Sequence, residues 1–435
     1  MGRMAFFADM MGTLFERRTR VSAPPSPVPV FDLCDALLSP QGEISGARLS
    51  RDILSHYRSM TPEDRHAFFD GLADDFDLDP ARVIAAAEAY REQPDAAGLA
   101  RLCREAEPRR QELFRRLNQA PGATEDLVRM RLDLLRLLPD APEFGRIDID
   151  LQHLLGRWFT RGFLVLRPID WRTPANILEK IIEYEAVHAI NEWNELQRRL
   201  RPDDRRCFAF FHPAMPEEPL IFVEVALCRG VPASVQGLLA EEREVLASGE
   251  ADTAVFYSIS NCQEGLRGIS FGNSLIKQVV EELKRDLPQI VRYVTLSPIP
   301  GLSGWLRSIA QQRPAAAEVL AAAETLSPEA MSPHAGALRQ LAAEYLLTAT
   351  RENGAPVDPV ARFHLGNGAL IHDVHPLADT SPNGFRQSCT AMVNYLYDLA
   401  QVELNNERFV TERRIAAAKP VRALVQQGQA AGRRP

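Results

Sequence analysis

The 435-residue sequence has no uninterrupted apolar run that approaches the ~18 residues of a membrane-spanning helix. Its six cysteines lie far apart and form no CxxC pair, so a dense disulfide framework is disfavoured and free thiols in a reducing compartment are expected. The net charge of −8 argues against a dedicated nucleic-acid-binding protein and gives no sign of attraction to a membrane. These absences indicate an ordinary intracellular globular protein.

Targeting signals are also scarce. The N-terminal stretch MGRMAFFADMMGTLFERRTR is weakly amphipathic but lacks the regions of a secretory signal, and the C-terminal QQGQAAGRRP carries no peroxisomal tripeptide. We therefore expect a cytoplasmic protein, with organelle import as the alternative.

Three common catalytic or nucleotide-binding signatures are missing. No Lys-Ser or Lys-Thr closes a Walker A loop, no G-x-G lies at a Rossmann turn, and no G-x-S-x-G elbow presents a nucleophilic serine. The hydrophobic content of 46% and the charged content of 25% are those of a soluble globular chain, and the length favours two or three domains.

The first half of the chain has a helical pattern. After an N-terminal tail and proline-rich linker (1–30), we predict a helical bundle over 31–167 that serves as a scaffold or oligomerisation domain. Asp79 and Pro80 give a cap followed by a proline suited to the first turn. One apolar stripe at helical spacing consists of Leu127, Met130, Leu134 and Leu137.

The pattern changes near Pro168, and we predict a second domain over 168–420, followed by a frayed tail over 421–435. One long helix is expected from Thr173 to Leu200, then a hairpin of two β-rich runs with its turn at 214–218. The run TAVFYSIS leads into a glycine-rich loop, a helix over about 271–286 and the strand VRYVTLSP. This order predicts helices packed on a central sheet.

The glycine loop carries the first chemical hypothesis. The stretch Arg267-Gly268-Ile269-Ser270-Phe271-Gly272 opens a helix and resembles the R-G-x-G-x-G pyrophosphate loop of GNAT-fold acyltransferases, with Ser270 at the middle glycine. Backbone N–H groups at a helix N-terminus bind a diphosphate, and glycines let the backbone approach it. A plain connection before a helix is the alternative.

Two further residues have the right chemistry for a site. Ser297 lies at the end of a strand in TLSPIPG, where prolines would fix its hydroxyl, although a serine before proline is often only a turn residue. His364 lies in a β-like stretch of ARFHLGNGA, as a structural histidine or as a proton donor. His372 and His375 are interpreted as loop residues without a metal, and His212, Glu217 and Glu218 as the solvated end of the hairpin.

Four segments together resemble malonyl-CoA decarboxylase: RRCFAFFHPAMPEEPLIFVEVAL, FYSISNCQEGLRGISFGNSLIKQVVEELKRDLP, VTLSPIPG and FHLGNGA. The helical half, with PRRQELFRRLNQAPGATEDLVRMRLDLL, is similar to the N-terminal domain of that family. The resemblance implies an α+β protein, in which an all-helical N-terminal bundle precedes a GNAT-like α/β catalytic domain.

The resemblance also implies an activity and a site. The expected reaction converts malonyl-CoA to acetyl-CoA and CO2 without a metal or organic cofactor. Ser297 and His364 take the positions of the catalytic serine and histidine, and Ser258 and Tyr397 those of further polar pocket residues. The coenzyme A loop falls on Arg267, Gly268, Ile269, Ser270, Phe271, Gly272 and Asn273, where Ser270 replaces a glutamate that the family can hold.

The expected partners are the substrate and product, with no nucleic acid and no membrane, in a homo-oligomer such as a tetramer. Two alternatives stay open at this point. One is an acyl-CoA-dependent acyltransferase of the same fold, which would need an acceptor, and the other is a non-catalytic coenzyme A-binding scaffold.

Overall fold

A computed structural model describes residues 26–269 and 275–431. The N-terminal part is helical, as predicted. Its helices are α1 (Val30–Leu38), α2 (Gln41–Ser59), α3 (Pro62–Asp74), α4 (Pro80–Glu92), α5 (Ala96–Glu105), α6 (Arg109–Leu117), α7 (Ala123–Leu137) and α8 (Gly145–Trp158). Their core is rich in aromatic rings, among them Phe68, Phe69, Phe114 and Phe144.

The structure contains the helix cap and the apolar stripe predicted for this part. The carboxylate of Asp79 accepts from the backbone N–H of Ala81 at 2.9 Å and caps α4. Of the predicted stripe on α7, Leu127, Met130 and Leu134 are fully buried and Leu137 packs against the same core at its edge. Apolar residues three and four apart share one face of a helix, so the stripe packs as one surface.

The C-terminal part is built on a mixed sheet. Its strands are β1 (Val165–Ile169), β2 (Arg205–His212), β3 (Met215–Cys228), β4 (Thr253–Asn261), β5 (Arg292–Thr295), β6 (Ser297–Pro298), β7 (Leu370–His375) and β8 (Met392–Leu396). The order is β1-β2-β3-β4-β5-β8-β6, with β7 paired to β8. Strands β4 and β5 are parallel, whereas β3–β4 and β5–β8 are antiparallel.

The C-terminal part also contains α-helices, numbered in chain order. They are α9 (Ala175–Tyr184), α10 (Trp193–Leu200), α11 (Val235–Leu239), α12 (Leu275–Asp286), α13 (Leu302–Ile309), α14 (Pro314–Glu324), α15 (Pro328–Met331), α16 (Ala335–Thr348), α17 (Pro359–Gly366), α18 (Pro382–Ser388), α19 (Val402–Glu412) and α20 (Lys419–Ala431). A helical N-terminal part followed by a mixed α/β part is therefore confirmed, and the strand, glycine loop, helix and strand follow one another as β4, the loop, α12 and β5.

The described residues form two compact units. One contains the residues up to Val165 together with 211–219 and 263–269, and the other contains 166–210, 220–262 and 275–431. The first change of unit lies close to the predicted domain boundary at 167. The sequence pattern gave no indication that 211–219 and 263–269 belong with the N-terminal helices.

The predicted long helix from Thr173 to Leu200 is wrong, because it is interrupted between α9 and α10. The carboxylate of Glu185 accepts from the backbone N–H groups of Val187 (2.9 Å) and His188 (2.7 Å), which a continuous helix would use internally. The side chain thus offers the backbone a competing partner, and the helix ends one residue before it.

Three smaller predictions also differ from the structure. The hairpin turn lies at 213–214 rather than 214–218, because β3 begins at Met215. His372 and His375 lie in strand β7 rather than in a loop. Residues 421–431 continue helix α20 instead of fraying, and Val421 is fully buried; residues 432–435 lie outside the described part.

All six cysteines are free. Among the helices that the structure describes, none has both the length and the apolar character that a membrane crossing requires.

Candidate active site

Ser297 lies where the chain stops pairing with β4 and continues along β8. Strand β5 pairs with β4 as far as Thr295, and Ser297 then pairs with Val393 of β8. The following Pro298 has no backbone N–H to donate to a neighbouring strand, and β6 is only two residues long. Ser297 is 6% exposed, and its hydroxyl donates to Oγ1 of Thr295 at 2.9 Å. The hydrogen bond to Thr295 therefore orients the Ser297 hydroxyl just beyond the end of strand β5.

His364 lies in helix α17, so the β-like environment predicted for it is wrong. Asp358 caps this helix by accepting from the backbone N–H of Ala361 at 2.9 Å, and Pro359 fills the first helical position. The imidazole is buried, and its Nε2 lies 3.2 Å from Oγ of Ser297. The two residues predicted to be catalytic are therefore hydrogen-bonded neighbours.

Two tyrosines hold the imidazole of His364. The Tyr397 hydroxyl lies 2.8 Å from Nδ1, and the Tyr395 ring stacks on the imidazole with centroids 4.6 Å apart. The Tyr395 hydroxyl is buried and has no hydrogen-bond partner among the described residues. Tyr397 therefore fixes the ring through a polar contact, whereas Tyr395 contacts its face.

Burial sets the protonation states of His364 and Tyr397. Loss of contact with water lowers the pKa of His364 to about 3 and raises the pKa of Tyr397 well above its ordinary value. The imidazole is therefore neutral, and the phenol protonated, near neutral pH. When the Ser297 hydroxyl donates to Thr295, Nε2–H donates to Ser297 and Nδ1 accepts from Tyr397. In this arrangement the imidazole proton faces the serine.

Ser258 belongs to a different polar cluster. Its hydroxyl lies 2.8 Å from both carboxylate oxygens of Glu185, and the Ser260 hydroxyl donates to the same carboxylate at 3.3 Å. All three side chains are buried. Ser258 thus serves to satisfy a buried carboxylate, and the sequence analysis did not single out Glu185. The only signal for it is a glutamate followed by an apolar stretch within an otherwise helical pattern.

A buried ion pair lies next to the Glu185 cluster. Arg199 donates to Glu224 at 2.9 Å and to the backbone carbonyl of His188 at 2.8 Å. Burial raises the pKa of Glu224 to about 7 and lowers the pKa of His188 to about 4. These groups hold the segment between α9 and α10 in place.

The structure describes part of the predicted coenzyme A loop. Arg267 is exposed, Gly268 has a φ of +82°, and Ile269 is buried. A positive φ is strained for residues with a side chain, so a glycine suits this position. Ser270, Phe271, Gly272 and Asn273 lie outside the described residues.

His212 and His375 have structural partners, and Glu218 is buried in β3, so the predicted solvated end of the hairpin is wrong for that residue. Nε2 of His212 lies 3.1 Å from the carbonyl of Trp158, and Nδ1 accepts from the backbone N–H of Ala214. His375 is hydrogen-bonded to Asn394. Within residues 26–269 and 275–431, no group of three or more metal-ligating side chains is arranged to hold a metal ion.

Comparison with known proteins identifies the family. Residues 162–434 match the model of the malonyl-CoA decarboxylase C-terminal domain, and residues 76–159 match the model of the N-terminal domain of the same family. The chain belongs to the malonyl-CoA decarboxylase family.

Individual members of this family are similar over most of their length. The chain is 35% identical over 426 residues to the mitochondrial malonyl-CoA decarboxylase of Anser anser anser, which covers 88% of this chain and 84% of that protein. The crystal structure of malonyl-CoA decarboxylase from Rhodopseudomonas palustris is similar with a TM-score of 0.84 and 50% identity, over 91% of this chain and 98% of that one. The one from Agrobacterium vitis has a TM-score of 0.85 and 47% identity, over 91% and 99%.

The resemblance inferred from the four sequence segments is thereby confirmed, and with it the assignment of the chain to the carboxy-lyases. Among the site residues implied by membership of the malonyl-CoA decarboxylase family, the structure brings Ser297, His364 and Tyr397 together. It places Ser258 on Glu185 instead.

Proposed function

We propose that this chain converts malonyl-CoA to acetyl-CoA and CO2, with Ser297 and His364 at the reacting centre. The observation that supports this most directly is the buried hydrogen bond between Oγ of Ser297 and Nε2 of His364, in a member of the malonyl-CoA decarboxylase family. Among the described residues, neither has a charged group in hydrogen-bond contact, so the buried pair is suited to handling one proton.

The reaction sets three requirements. The bond between the malonyl carboxylate and the α-carbon breaks, and its electron pair moves into the thioester to form an enolate. One proton must then reach the α-carbon, and CO2 leaves. Fixed hydrogen-bond donors directed at the enolate oxygen are typically worth about 3 kcal/mol each in a site that excludes water. Orientation of the acyl group lowers the activation free energy further.

His364 is the proposed proton donor to the α-carbon. Its burial keeps the imidazole neutral, since desolvation disfavours the cation. A bound malonyl carboxylate would favour the protonated imidazole, because an opposite charge nearby raises the pKa of a histidine. Binding of the substrate would then supply the proton that the reaction consumes, at Nε2 beside Ser297.

Ser297 and Tyr397 complete the proposed centre. The Ser297 hydroxyl would orient the malonyl carboxylate or share in the proton transfer from Nε2. Tyr397 would keep the ring in place through Nδ1. Ser258 would act indirectly, by holding Glu185 and the segment that follows it.

The coenzyme A part of the substrate is assigned to the segment from Arg267 to Asn273, through Gly268, Ile269, Ser270, Phe271 and Gly272, by the family resemblance. The exposed guanidinium of Arg267 is suited to a phosphate oxygen. Binding energy from this distant part of the substrate would hold the acyl group in a reactive geometry.

The first test uses purified protein pre-treated with a metal chelator, mixed with malonyl-CoA and no acyl acceptor. We expect acetyl-CoA and CO2 in equal amounts. Replacing the acid by His364→Gln should lower kcat by about 10²–10⁴, the usual contribution of general acid catalysis. Malonyl-CoA that binds but stays intact would contradict the proposal and favour an acyltransferase or a coenzyme A-binding scaffold.

The cytoplasmic location and the homo-oligomeric state stay predictions.

A further inference from the structure

The segment from Gly265 to Gly268 lies directly against helices α7 and α8. A Cβ added to Gly265 would be 2.1 Å from the backbone oxygen of Val128, and one added to Gly268 would be 2.8 Å from Nε2 of Gln152. Such distances leave no room for a side chain at Gly265. Contact with α7 therefore requires glycine at Gly265, whereas the positive φ of Gly268 is what favours glycine there, because Gln152 meets it only with the end of a flexible side chain. The interpretation of the loop as a diphosphate site does not account for Gly265.

Arg131 of α7 fixes the backbone of this segment. Its Nη1 donates to the carbonyl of Gly265 at 2.8 Å and to the carbonyl of Arg267 at 2.9 Å. The side chain is 1% exposed, and its Nε donates to Asp148 of α8 at 2.7 Å. The buried charge is thus paired, and the guanidinium acts as a rigid donor for two carbonyls of the same turn.

Arg131 holds the backbone carbonyl of Arg267, a residue that is otherwise exposed. The neighbouring Leu266 and Ile269 are buried, so the segment is anchored on both sides of Arg267. A guanidinium that starts from a fixed backbone loses less freedom when it binds an anion.

We propose that Arg131 is a positioning residue for the binding of coenzyme A, acting through the backbone of Gly265 and Arg267. This inference rests on the proposed function, in which Arg267 begins the coenzyme A loop. It gives the N-terminal helical part a role in substrate binding, beyond the scaffold role predicted from the sequence. The part of the substrate that depends on Arg131 is the diphosphate-containing part, not the malonyl group.

The experiment compares two substrates with Arg131→Met and Arg131→Lys. Loss of the two donated hydrogen bonds should raise KM for malonyl-CoA roughly tenfold, with kcat within about twofold. Malonyl-pantetheine lacks the diphosphate, so its KM should not change. Arg131→Lys keeps a cationic donor, so its KM for malonyl-CoA should rise less than that of Arg131→Met. The lysine variant also allows the test to be made if Arg131→Met folds poorly.

A matched control is Arg110→Met, which removes another buried arginine of the N-terminal helices. Arg110 pairs with Asp77 and Asp150 and makes no contact with residues 265–268 among the described hydrogen bonds. It should lower stability and leave the ratio of the two KM values unchanged. Equal effects of Arg131→Met on both substrates, or no effect on either, would overturn the inference.

Calorimetric titration with coenzyme A separates this inference from the proposed function. If the wild type does not decarboxylate malonyl-CoA, the proposed function fails. The inference still predicts that Arg131→Met weakens the binding of coenzyme A roughly tenfold while Arg110→Met does not. Unchanged coenzyme A binding in Arg131→Met would overturn it even in an active decarboxylase.

Discussion

The hydroxyl of Tyr397 lies 2.8 Å from Nδ1 of His364, on the opposite side of the ring from Ser297. Both ring nitrogens are therefore bonded within a buried pocket. A hydrogen bond at one nitrogen of a histidine selects the tautomer and directs the other nitrogen. Tyr397 is thus placed to control which atom carries the proton that faces Ser297.

Tyr397→Phe should lower kcat by about 10–100-fold, because the ring loses the contact that selects its tautomer, while KM for malonyl-CoA changes little. Steady-state kinetics on the folded variant measure both constants. Tyr395→Phe is the matched control, since it removes a buried hydroxyl that has no partner among the described residues and leaves the ring stacked on His364. Equal losses in the two variants would show that the hydroxyl of Tyr397 has no special role.

The proximity of two site residues follows from the family resemblance rather than from local pattern. The resemblance implies that Ser297 and His364 act together, and the structure places them 3.2 Å apart. The secondary structure around His364 was predicted wrongly, although the signal was present. Asp358 and Pro359 repeat the cap-and-proline pair that correctly predicted the helix after Asp79 and Pro80.

Other features depend on partners that are distant in the sequence. The helix break at Glu185 follows from a buried carboxylate that meets Ser258, and neither residue alone signals the contact. Gly265 and Arg131 are similar cases, because the close approach of the loop to helix α7 is set by tertiary packing. Local patterns therefore predicted many of the helices and strands and their order, and they did not predict these contacts.

Acidic pH should destabilise the fold through His364. Its pKa is 6.5 in the unfolded chain and about 3 in the folded protein, because burial disfavours the cation. Below pH 6.5 the unfolded chain binds a proton that the native protein does not. The contribution of His364 to the free energy of unfolding is thus fully present above pH 6.5. It is lost as pH falls towards about 3, by up to ~1.4 kcal/mol per pH unit.

Urea unfolding at several pH values between about 4.5 and 7 measures this dependence. His364→Gln removes the titrating group and should give a shallower slope than the wild type. Some slope should persist in the variant, because burial also lowers the pKa of His188, to about 4. Identical slopes in the two proteins would mean that His364 is protonated equally in the folded and unfolded states.

Ser258→Ala should reduce the free energy of unfolding by about 1–3 kcal/mol, because the Glu185 carboxylate loses a buried donor. KM for malonyl-CoA should stay within about twofold, since the hydroxyl is bonded to Glu185. Ser260→Ala is the control. It should reduce the free energy of unfolding by less, because the hydrogen bond from Ser260 to the Glu185 carboxylate is longer, at 3.3 Å. A large rise in KM with unchanged stability would instead place Ser258 on the substrate.

Arg199→Met should be among the more damaging substitutions in the α/β part. Glu224 is fully buried, and Arg199 is its ion-pair partner at 2.9 Å. Removing one member of a buried pair leaves an uncompensated charge and typically costs about 3–5 kcal/mol. The pKa of Glu224, already raised to about 7 by burial, should rise further, so the variant should lose most stability at alkaline pH.

Chemical denaturation at about pH 6 and pH 8.5 measures both the size of the stability loss in Arg199→Met and its increase at alkaline pH. Arg229→Met is the control, because its ion pair with Glu250 is largely exposed and its loss should change stability by no more than about 1 kcal/mol. The double variant Arg199→Met with Glu224→Gln should recover part of the loss, since a neutral amide tolerates burial without a counter-ion. If the double variant were as unstable as Arg199→Met alone, the loss would come from the carbonyl of His188, which Arg199 also binds, rather than from the charge of Glu224.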